Sequence, residues 1–309
     1  MKKRAIGMDI GGTNLRVAVV SEDGKVVQKI KEPVPEDVLG AVVKAVGKLG
    51  TEGIEGIGIG VAGLVDKKSG RVIISPNLHA VEKYELVGEI HARFGIPVVI
   101  ENDANAAAFG ESWAGAGMGF SNFFLFTLGT GIGGGIIYRK KLLRVSAEVG
   151  HMSISAEGEK CPCGNSGCLE SYASARAILS DAVSALEAGR ESILRDYCSG
   201  NFYKLSAEDI FRAALDGDNL ARDLLKNAGR YLGIGIANII NLLCPEAVIL
   251  SGGLIGAWDI YVQEAIRESS RRAFRELFEQ VKILPALLRD DAGTIGAAGL
   301  VFEKLAQDS

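Results

Sequence analysis

Two glycine-rich turns, each set between strand-like apolar runs, limit the folds open to this chain more than any other feature. The first is Asp9-Ile10-Gly11-Gly12-Thr13-Asn14, between the apolar run 4–8 and the strand-like run 15–20. The second is Thr127-Leu128-Gly129-Thr130-Gly131-Ile132-Gly133-Gly134-Gly135, after the run 123–126 and before 136–138. Both read as strand, glycine turn, strand. Turns of this kind expose backbone N–H groups and admit phosphate oxygens at close range. One alone is weak evidence, because β-turns use glycine freely. The Lys-Ser/Thr ending of a P-loop is missing, and the first turn leads into a strand where a Rossmann turn leads into a helix. A phosphate hairpin used twice is a different nucleotide architecture. A third cluster, Ser251-Gly252-Gly253, follows the buried-strand run 247–250.

The segment from Glu148 to Glu170 adds a metal. Three of the five cysteines, Cys161, Cys163 and Cys168, fall within eight residues, and His151 lies ten positions before the first. Three thiolates and one imidazole complete a tetrahedral Zn²⁺ shell with no open position, the signature of a structural zinc. Gly164 and Gly167 supply the tight backbone a metal knuckle needs. Glu148 and Glu170 flank the set without being required by zinc, which points to a polar ligand site beside the metal.

Between the two hairpins the chain alternates strand and helix. Residues 38–49 and 84–94 have helical spacing, 56–61 reads as a strand ending in the turn Ala62-Gly63, and 72–75 and 97–100 are short strands. Glu101-Asn102-Asp103-Ala104-Asn105-Ala106-Ala107-Ala108 follows at once. The alanine run is helical, so Asn102 and Asp103 sit where a strand ends and a helix begins. One of them can cap the helix; a second polar residue there exceeds what capping requires, and ligand sites in α/β sheets gather at such ends. Beyond the zinc segment the chain is mostly helical, over 172–186, 207–214, 220–243 and 260–279. Gly229, Gly233 and Ala237 make a small-residue stripe on the third of these, suited to close packing. Arg267, Arg271, Arg272 and Arg275 on the last are interleaved with Glu264, Glu268 and Glu276, a solvated face rather than a nucleic-acid patch. Asp290-Asp291-Ala292-Gly293-Thr294 leads into a final helix.

Composition excludes several classes. A chain of 309 residues suggests two domains, and 48% hydrophobic with 23% charged residues is globular. A net charge of −4 and a pI near 5.6 argue against nucleic acid as the main partner. The N-terminus reads as a first strand, not a signal peptide. The most apolar segment, 231–248, is interrupted by Asn238, Asn241 and Pro245-Glu246, so no membrane span is expected. Reduced, clustered cysteines fit a cytoplasmic setting.

Taken in order, D-I-G-G-T-N, E-N-D-A-N-A-A-A, T-L-G-T-G-I-G-G-G, E-V-G-H-M, C-P-C-G-N-S-G-C-L-E and L-S-G-G resemble the ROK family of bacterial sugar kinases and sugar-responsive repressors, and its glucokinases in particular. The resemblance runs from residue 5 to about 300. It implies an α/β, two-lobed actin/hexokinase-type ATPase fold carrying a structural zinc knuckle. The lobes would be 1–119 plus 290–309 and 120–289, with ATP and sugar in the cleft and a C-terminal helix returning to the first lobe. Implied with it are ATP with Mg²⁺, a hexose substrate with glucose favoured, and a homodimer or homotetramer.

The resemblance also assigns roles. Asp103 matches the catalytic base and Asn102 a sugar contact. Glu148, His151 and Glu170 match further sugar contacts, and Gly63 and Asn77 fall where the first lobe touches the sugar. Glu148, Glu170 and Asn102 would bring acceptors to its hydroxyls. His151, Cys161, Cys163 and Cys168 match the zinc ligands. Asp9, Gly11, Gly12 and Thr13 match the first phosphate hairpin, with Asp9 near Mg²⁺; Thr130 and Gly131 match the second, and Gly252 and Gly253 the nucleoside end. Two stretches depart from the family pattern, His79-Ala80-Val81-Glu82, where a tryptophan is usual, and 140–147, where a glycine-rich run is usual. Both bear on sugar preference and loop geometry. Within the enzymes the competing reading is a kinase for N-acetylmannosamine, N-acetylglucosamine or fructose. A sugar-sensing repressor would carry a helix-turn-helix ahead of a first strand that here begins by residue 4. An actin-like scaffold would have no use for Asp103 together with Glu148, His151 and Glu170.

Overall fold

The structure is a computed structural model describing residues 2–75 and 78–307. The chain opens with three strands, β1 (Arg4–Ile10), β2 (Asn14–Ser21) and β3 (Val26–Pro33), then helix α1 (Val38–Leu49) and strand β4 (Ile54–Val61). A small hairpin, β5 (Leu64–Asp66) and β6 (Arg71–Ile74), precedes α2 (Leu86–Phe94), β7 (Val98–Asn102) and α3 (Asp103–Ala114). A second strand set follows: β8 (Phe123–Leu128), β9 (Ile132–Tyr138) and β10 (Lys141–Leu142). Helices α4 (Glu170–Ala173), α5 (Ala175–Glu187), α6 (Leu194–Tyr197), α7 (Ala207–Leu215) and α8 (Asn219–Leu243) lead to β11 (Ala247–Ser251). The chain ends with α9 (Gln263–Arg272), α10 (Arg275–Phe278), β12 (Lys282–Pro285) and α11 (Ala292–Gln307).

The two main sheets share one plan. Their strand orders are β3-β2-β1-β4-β7 and β10-β9-β8-β11-β12. In each, a glycine turn joins the first strand to its neighbour, the third strand lies at one edge, and two later strands add on the far side. β1 and β2 pair antiparallel while β4 and β7 run parallel to β1, as β12 does to β11. The duplicated turn in the sequence is thus the start of a duplicated sheet. By internal contacts the chain divides into two compact units, Met1–Leu125 with Gly135–Ala147 and Ala286–Ser309, and Phe126–Gly134 with Glu148–Pro285.

In the first unit, strand alternation sends residues to two cores. Ile6, Met8 and Ile10 join Val38, Val42, Leu86 and Ile90 on the α1 and α2 side. Ala5, Ala18 and Val20 join Ile295, Ala298 and Val301 of α11 on the other. Helix α11 approaches so closely that a Cβ on Gly7 or Gly58 would overlap the Thr294 or Ala297 carbonyl oxygen, and one on Gly296 would overlap that of Ala106 in α3. In the second unit α8 carries the expected small-residue stripe, with Gly229 and Gly233 against the Tyr261 and Ala265 carbonyls. No described helix is long and apolar enough to cross a membrane.

Two helices differ from the sequence expectation. The segment 172–186 is broken at Ser174, whose extended backbone starts α5 while its hydroxyl caps the Ala177 N–H at 3.2 Å. The segment 260–279 begins as a π-turn and is interrupted after α9, where the Phe274 N–H turns to Asn241 Oδ1 at 2.9 Å. In both, a side-chain acceptor takes a backbone N–H that a continuous helix would need.

Two glycine substitutions separate helix propensity from packing. Gly47 lies in α1 with open space around its Cβ position, so Gly47→Ala should stabilise by about 0.5–1 kcal/mol. Gly296→Ala gains the same propensity but forces α11 off α3, and should cost about 1–3 kcal/mol net. Thermal melting reads both; an unchanged melt for Gly296→Ala would show that α11 can move away from α3.

Candidate active site and metal centre

Strand β7 runs parallel to β4 and delivers its last residue, Asn102, as the N-cap of α3. Asn102 Oδ1 accepts the N–H groups of Ala104 and Asn105 at 2.9 and 3.1 Å, and its Nδ2 donates to the Gly63 carbonyl at 3.1 Å. The cap therefore belongs to Asn102. Its oxygen is fully used, so toward a ligand Asn102 can offer only an N–H; the expectation that it brings an acceptor is corrected. Asp103 becomes the first helical residue, half-buried, with Oδ1 accepting the Ala104 N–H at 2.8 Å. A carboxylate there is favoured by the helix dipole, and the cap does not require it. Gly63, at φ +122°, ends β4's turn against Ile74 and Ser75. Asn77 lies outside the described residues. The departing segment after Leu78 forms a short 3₁₀ turn, and Glu82 Oε1 accepts the Ser75 N–H at 2.8 Å.

Sequence reasoning did not single out the residues beneath this junction. Glu101 is buried, and its Oε1 accepts the Asn102 N–H at 3.0 Å and Asn105 Nδ2 at 3.1 Å. Its Oε2 is met by Lys67 Nζ at 2.5 Å, from the turn between β5 and β6. Asn105 Nδ2 also reaches the Val145 carbonyl at 3.1 Å, which ties the unusual stretch 140–147 to α3. The one available signal was the acidic residue directly before Asn102, on a strand otherwise apolar.

The first glycine turn closes with Gly11 N–H on the Asn14 carbonyl at 3.1 Å, leaving Gly12 and Thr13 exposed. Asp9 stands at its base, opposite Arg16 in the hairpin register. Arg16 NH1 lies 3.1 Å from Asp9 Oδ2, and its NH2 lies 3.6 Å from Asp290. Burial pushes the Asp9 carboxyl above its ordinary range, and Arg16 opposes that shift. Arg16 was legible: a hairpin turning at 11–13 puts it across from Asp9, an opposite-charge cross-strand pair.

In the second unit Thr130 is exposed at the tip of the second turn and Gly131 follows it. Glu170, the first residue of α4, accepts the Ile132 N–H on Oε2 and the Arg176 guanidinium on Oε1, both at 2.7 Å. About half of a carboxylate's four acceptor positions are thereby used. Gly252, at φ +96°, backs onto Leu128 at the end of β8, where a Cβ would meet the Leu128 backbone, and Gly253 is exposed beside it. The third glycine cluster therefore adjoins the second turn. Glu148 is exposed and precedes the 3₁₀ turn Val149–His151, its carbonyl accepting the His151 N–H at 3.0 Å.

His151, Cys161, Cys163 and Cys168 converge, with their ligand atoms all within 4.8 Å of one another. A tetrahedral Zn²⁺ bound at about 2.3 Å to sulfur and about 2.0–2.1 Å to nitrogen has S–S edges of about 3.7–3.8 Å and S–N edges of about 3.5–3.6 Å. Cys163 and Cys168 sulfurs lie 3.7 Å apart, and Cys161 Sγ lies 3.6 Å from His151 Nδ1. Both edges fit. The geometry also selects Nδ1 as the ligating nitrogen and leaves Nε2 for another partner. Without metal, burial pushes the Cys168 thiol up to about 12, while the Asn165 N–H lowers that of Cys163.

Zinc must displace the Cys168 proton, so binding releases protons and weakens as pH falls. Purified protein should hold about one Zn²⁺ per chain, released by chelator more readily in acid, and Cys163→Ala should lose it. Metal analysis across pH measures this; a protein isolated without zinc and fully active would sink the metal assignment.

Comparison with known proteins places this geometry. The model of the ROK family matches residues 5–304. A glucokinase of Streptomyces coelicolor is 38% identical over 314 aligned positions, covering 96% of this chain and 97% of that protein. A solved ROK family glucokinase from Streptomyces griseus, in complex with glucose and AMPPNP, superposes with a TM-score of 0.87 at 36% identity, over 97% of this chain and 99% of that one. A ROK family transcriptional regulator, a homolog of the E. coli MLC protein, superposes with a TM-score of 0.86 at 29% identity, over 98% and 78%. The fold is the α/β actin/hexokinase type with a His/Cys₃ cluster, and the chain belongs to the ROK family.

Proposed function

We propose that this chain is an ATP-dependent hexokinase that phosphorylates D-glucose at its 6-hydroxyl. It is a sugar kinase: its glucokinase relatives align with it over nearly their whole length, and a ROK family glucokinase shares its fold. The observation that carries the specific reaction is Asp103, a carboxylate at the first turn of α3 that the helix cap does not need, beside an asparagine that already supplies the cap.

A sugar hydroxyl is a poor nucleophile while it keeps its proton. Asp103 accepts that proton as the new P–O bond forms, typically worth about 10²- to 10⁴-fold. The N–H groups of the two glycine turns hold the phosphates of ATP in line for transfer. Asp9 would hold Mg²⁺, and the fit rests on its carboxyl, which burial raises and a second cation would favour. Mg²⁺, when bound, supplies positive charge to the phosphate oxygens. The His151 and cysteine set takes Zn²⁺ as a closed structural site, and His151 Nε2 is then presented to a sugar hydroxyl. Asn102 donates to the sugar through its remaining N–H, while Glu148 and Glu170 accept from it.

The glucokinase relatives, one of them solved with glucose bound, support glucose as the acceptor. A buried acceptor left without its hydroxyl costs roughly 1–3 kcal/mol, so an epimer that turns one hydroxyl away should lose about tenfold or more per misplaced group.

Asp103→Asn keeps size and hydrogen bonding but cannot take a proton at neutral pH. It should cut kcat by at least about 10²-fold while glucose affinity stays within roughly tenfold; near-normal kcat would remove Asp103 from the base role. The substrate is decided by kcat/KM for glucose, mannose, N-acetylmannosamine, N-acetylglucosamine and fructose in a coupled ADP-release assay. Glucose should lead, and an N-acetylated sugar in first place would leave a sugar kinase with a different acceptor.

A further inference from the structure

We infer that Glu170 is the positioning residue of the second glycine turn, and that the metal cluster two residues before it is what holds the phosphate-donor site in shape. This rests on the reading of that turn as a phosphate-binding element. The four metal ligands lie on two chain segments, one ending at His151 and one ending at Cys168, and both segments grip the turn directly.

From the first segment, Gly150 lies flat against Ile132, where a Cβ would overlap the Ile132 carbonyl oxygen. From the second, Glu170 Oε2 accepts the Ile132 N–H at 2.7 Å and lies against Gly131, where a Cβ would overlap it. The Ala175 N–H closes the far end on the Gly129 carbonyl at 2.9 Å. Residues 129, 131 and 132 are thus held at four points by residues 150–175. The two segments are fastened to each other as well. The Leu169 N–H donates to the Met152 carbonyl at 2.9 Å, Ser153 and Cys168 form a β-bridge, and the Cys168 thiol lies 3.5 Å from the His151 carbonyl.

Glu170 is not spent on its own helix. Helix α4 has only four residues, and no side chain caps it. Arg176, at the start of α5, instead holds Oε1 at 2.7 Å, which orients the carboxylate with Oε2 toward Ile132. One side chain therefore spans the metal knuckle, the turn and α5. A metal that fixes His151 and Cys168 fixes Gly150 and Glu170, and through them the N–H groups of the turn. Removing it loosens three of the four grips at once, and only Ala175 on Gly129 is left.

The test is amide hydrogen exchange at Ile132 together with calorimetric binding of AMPPNP and of glucose, in Glu170→Ala, Glu170→Gln, Arg176→Met and chelator-stripped wild type. Zinc content is measured alongside. In Glu170→Ala the Ile132 amide should exchange at least about tenfold faster and AMPPNP should bind about tenfold more weakly, with zinc retained. Glu170→Gln keeps an oxygen for Ile132 and should restore most of the protection. Stripped wild type should show the same faster exchange at Ile132. Glucose affinity lost alone, with Ile132 exchange and AMPPNP affinity unchanged, would overturn the inference and leave Glu170 a sugar contact only. If Glu170→Ala does not fold, Arg176→Met and the stripped protein carry the test, and unchanged exchange at Ile132 in both overturns it. A wild type that binds neither nucleotide nor hexose removes the kinase reading, and Ile132 exchange still decides whether Glu170 and the metal hold the turn.

Discussion

The chemistry of this chain depends on one recurring constraint: backbone N–H groups left without partners where strands end must be claimed by side chains. A helix start alone exposes four such groups. At the β7–α3 junction Asn102 takes two of them and Glu101 takes the Asn102 N–H. At the second turn Glu170 takes the Ile132 N–H. At the far end of α3, buried Glu111 accepts the N–H groups of Ala116, Leu287 and Leu288, which fixes the lead-in to α11. At the α3 start Asp103 shares in the same demand, its Oδ1 accepting the Ala104 N–H beside Asn102.

The architecture follows from using one sheet plan twice. The two turns were legible because glycine must recur where backbone approaches phosphate or backbone, and because a nearly unbroken apolar run such as 5–8 before the first turn marks a strand covered on both faces. The metal set was legible for a different reason. Thiol and imidazole spacing limits the alternatives so strongly that four residues could be named from sequence, and their ligand atoms converge. The strand-to-helix junction at 102–103 was also readable, because an alanine run after an apolar strand admits few other conformations.

What the sequence did not reveal is which atom of a polar residue is already occupied. Asn102 looked like an acceptor, yet both acceptor positions of its oxygen are taken by α3. Glu170 looked like a sugar contact, and the structure adds two intramolecular partners from residues thirty-eight and six positions away. The helix break at Phe274 depends on Asn241, thirty-three residues earlier. These are long-range assignments of single hydrogen bonds, and no local periodicity encodes them. Arg16 opposite Asp9 is the instructive exception, since hairpin register carries long-range information through a short loop.

Magnitudes rank the contacts that hold the strand end carrying Asp103. A helix cap such as Asn102 contributes about 1 kcal/mol. Stripping a buried carboxylate of its counter-ion costs about 3–5 kcal/mol, and partial exposure of Lys67 moves the Glu101 pair toward the lower end of that range. Loss of Lys67, on the small β5–β6 hairpin, is therefore the costlier change, because it leaves Glu101 buried without its counter-ion. Glu101 transmits it by binding the Asn102 backbone and Asn105 at once. The same hairpin is anchored a second time, by Asn102 Nδ2 on the Gly63 carbonyl. The chain around this hairpin is thus tied by an ion pair and by a hydrogen bond to the strand end that carries Asp103.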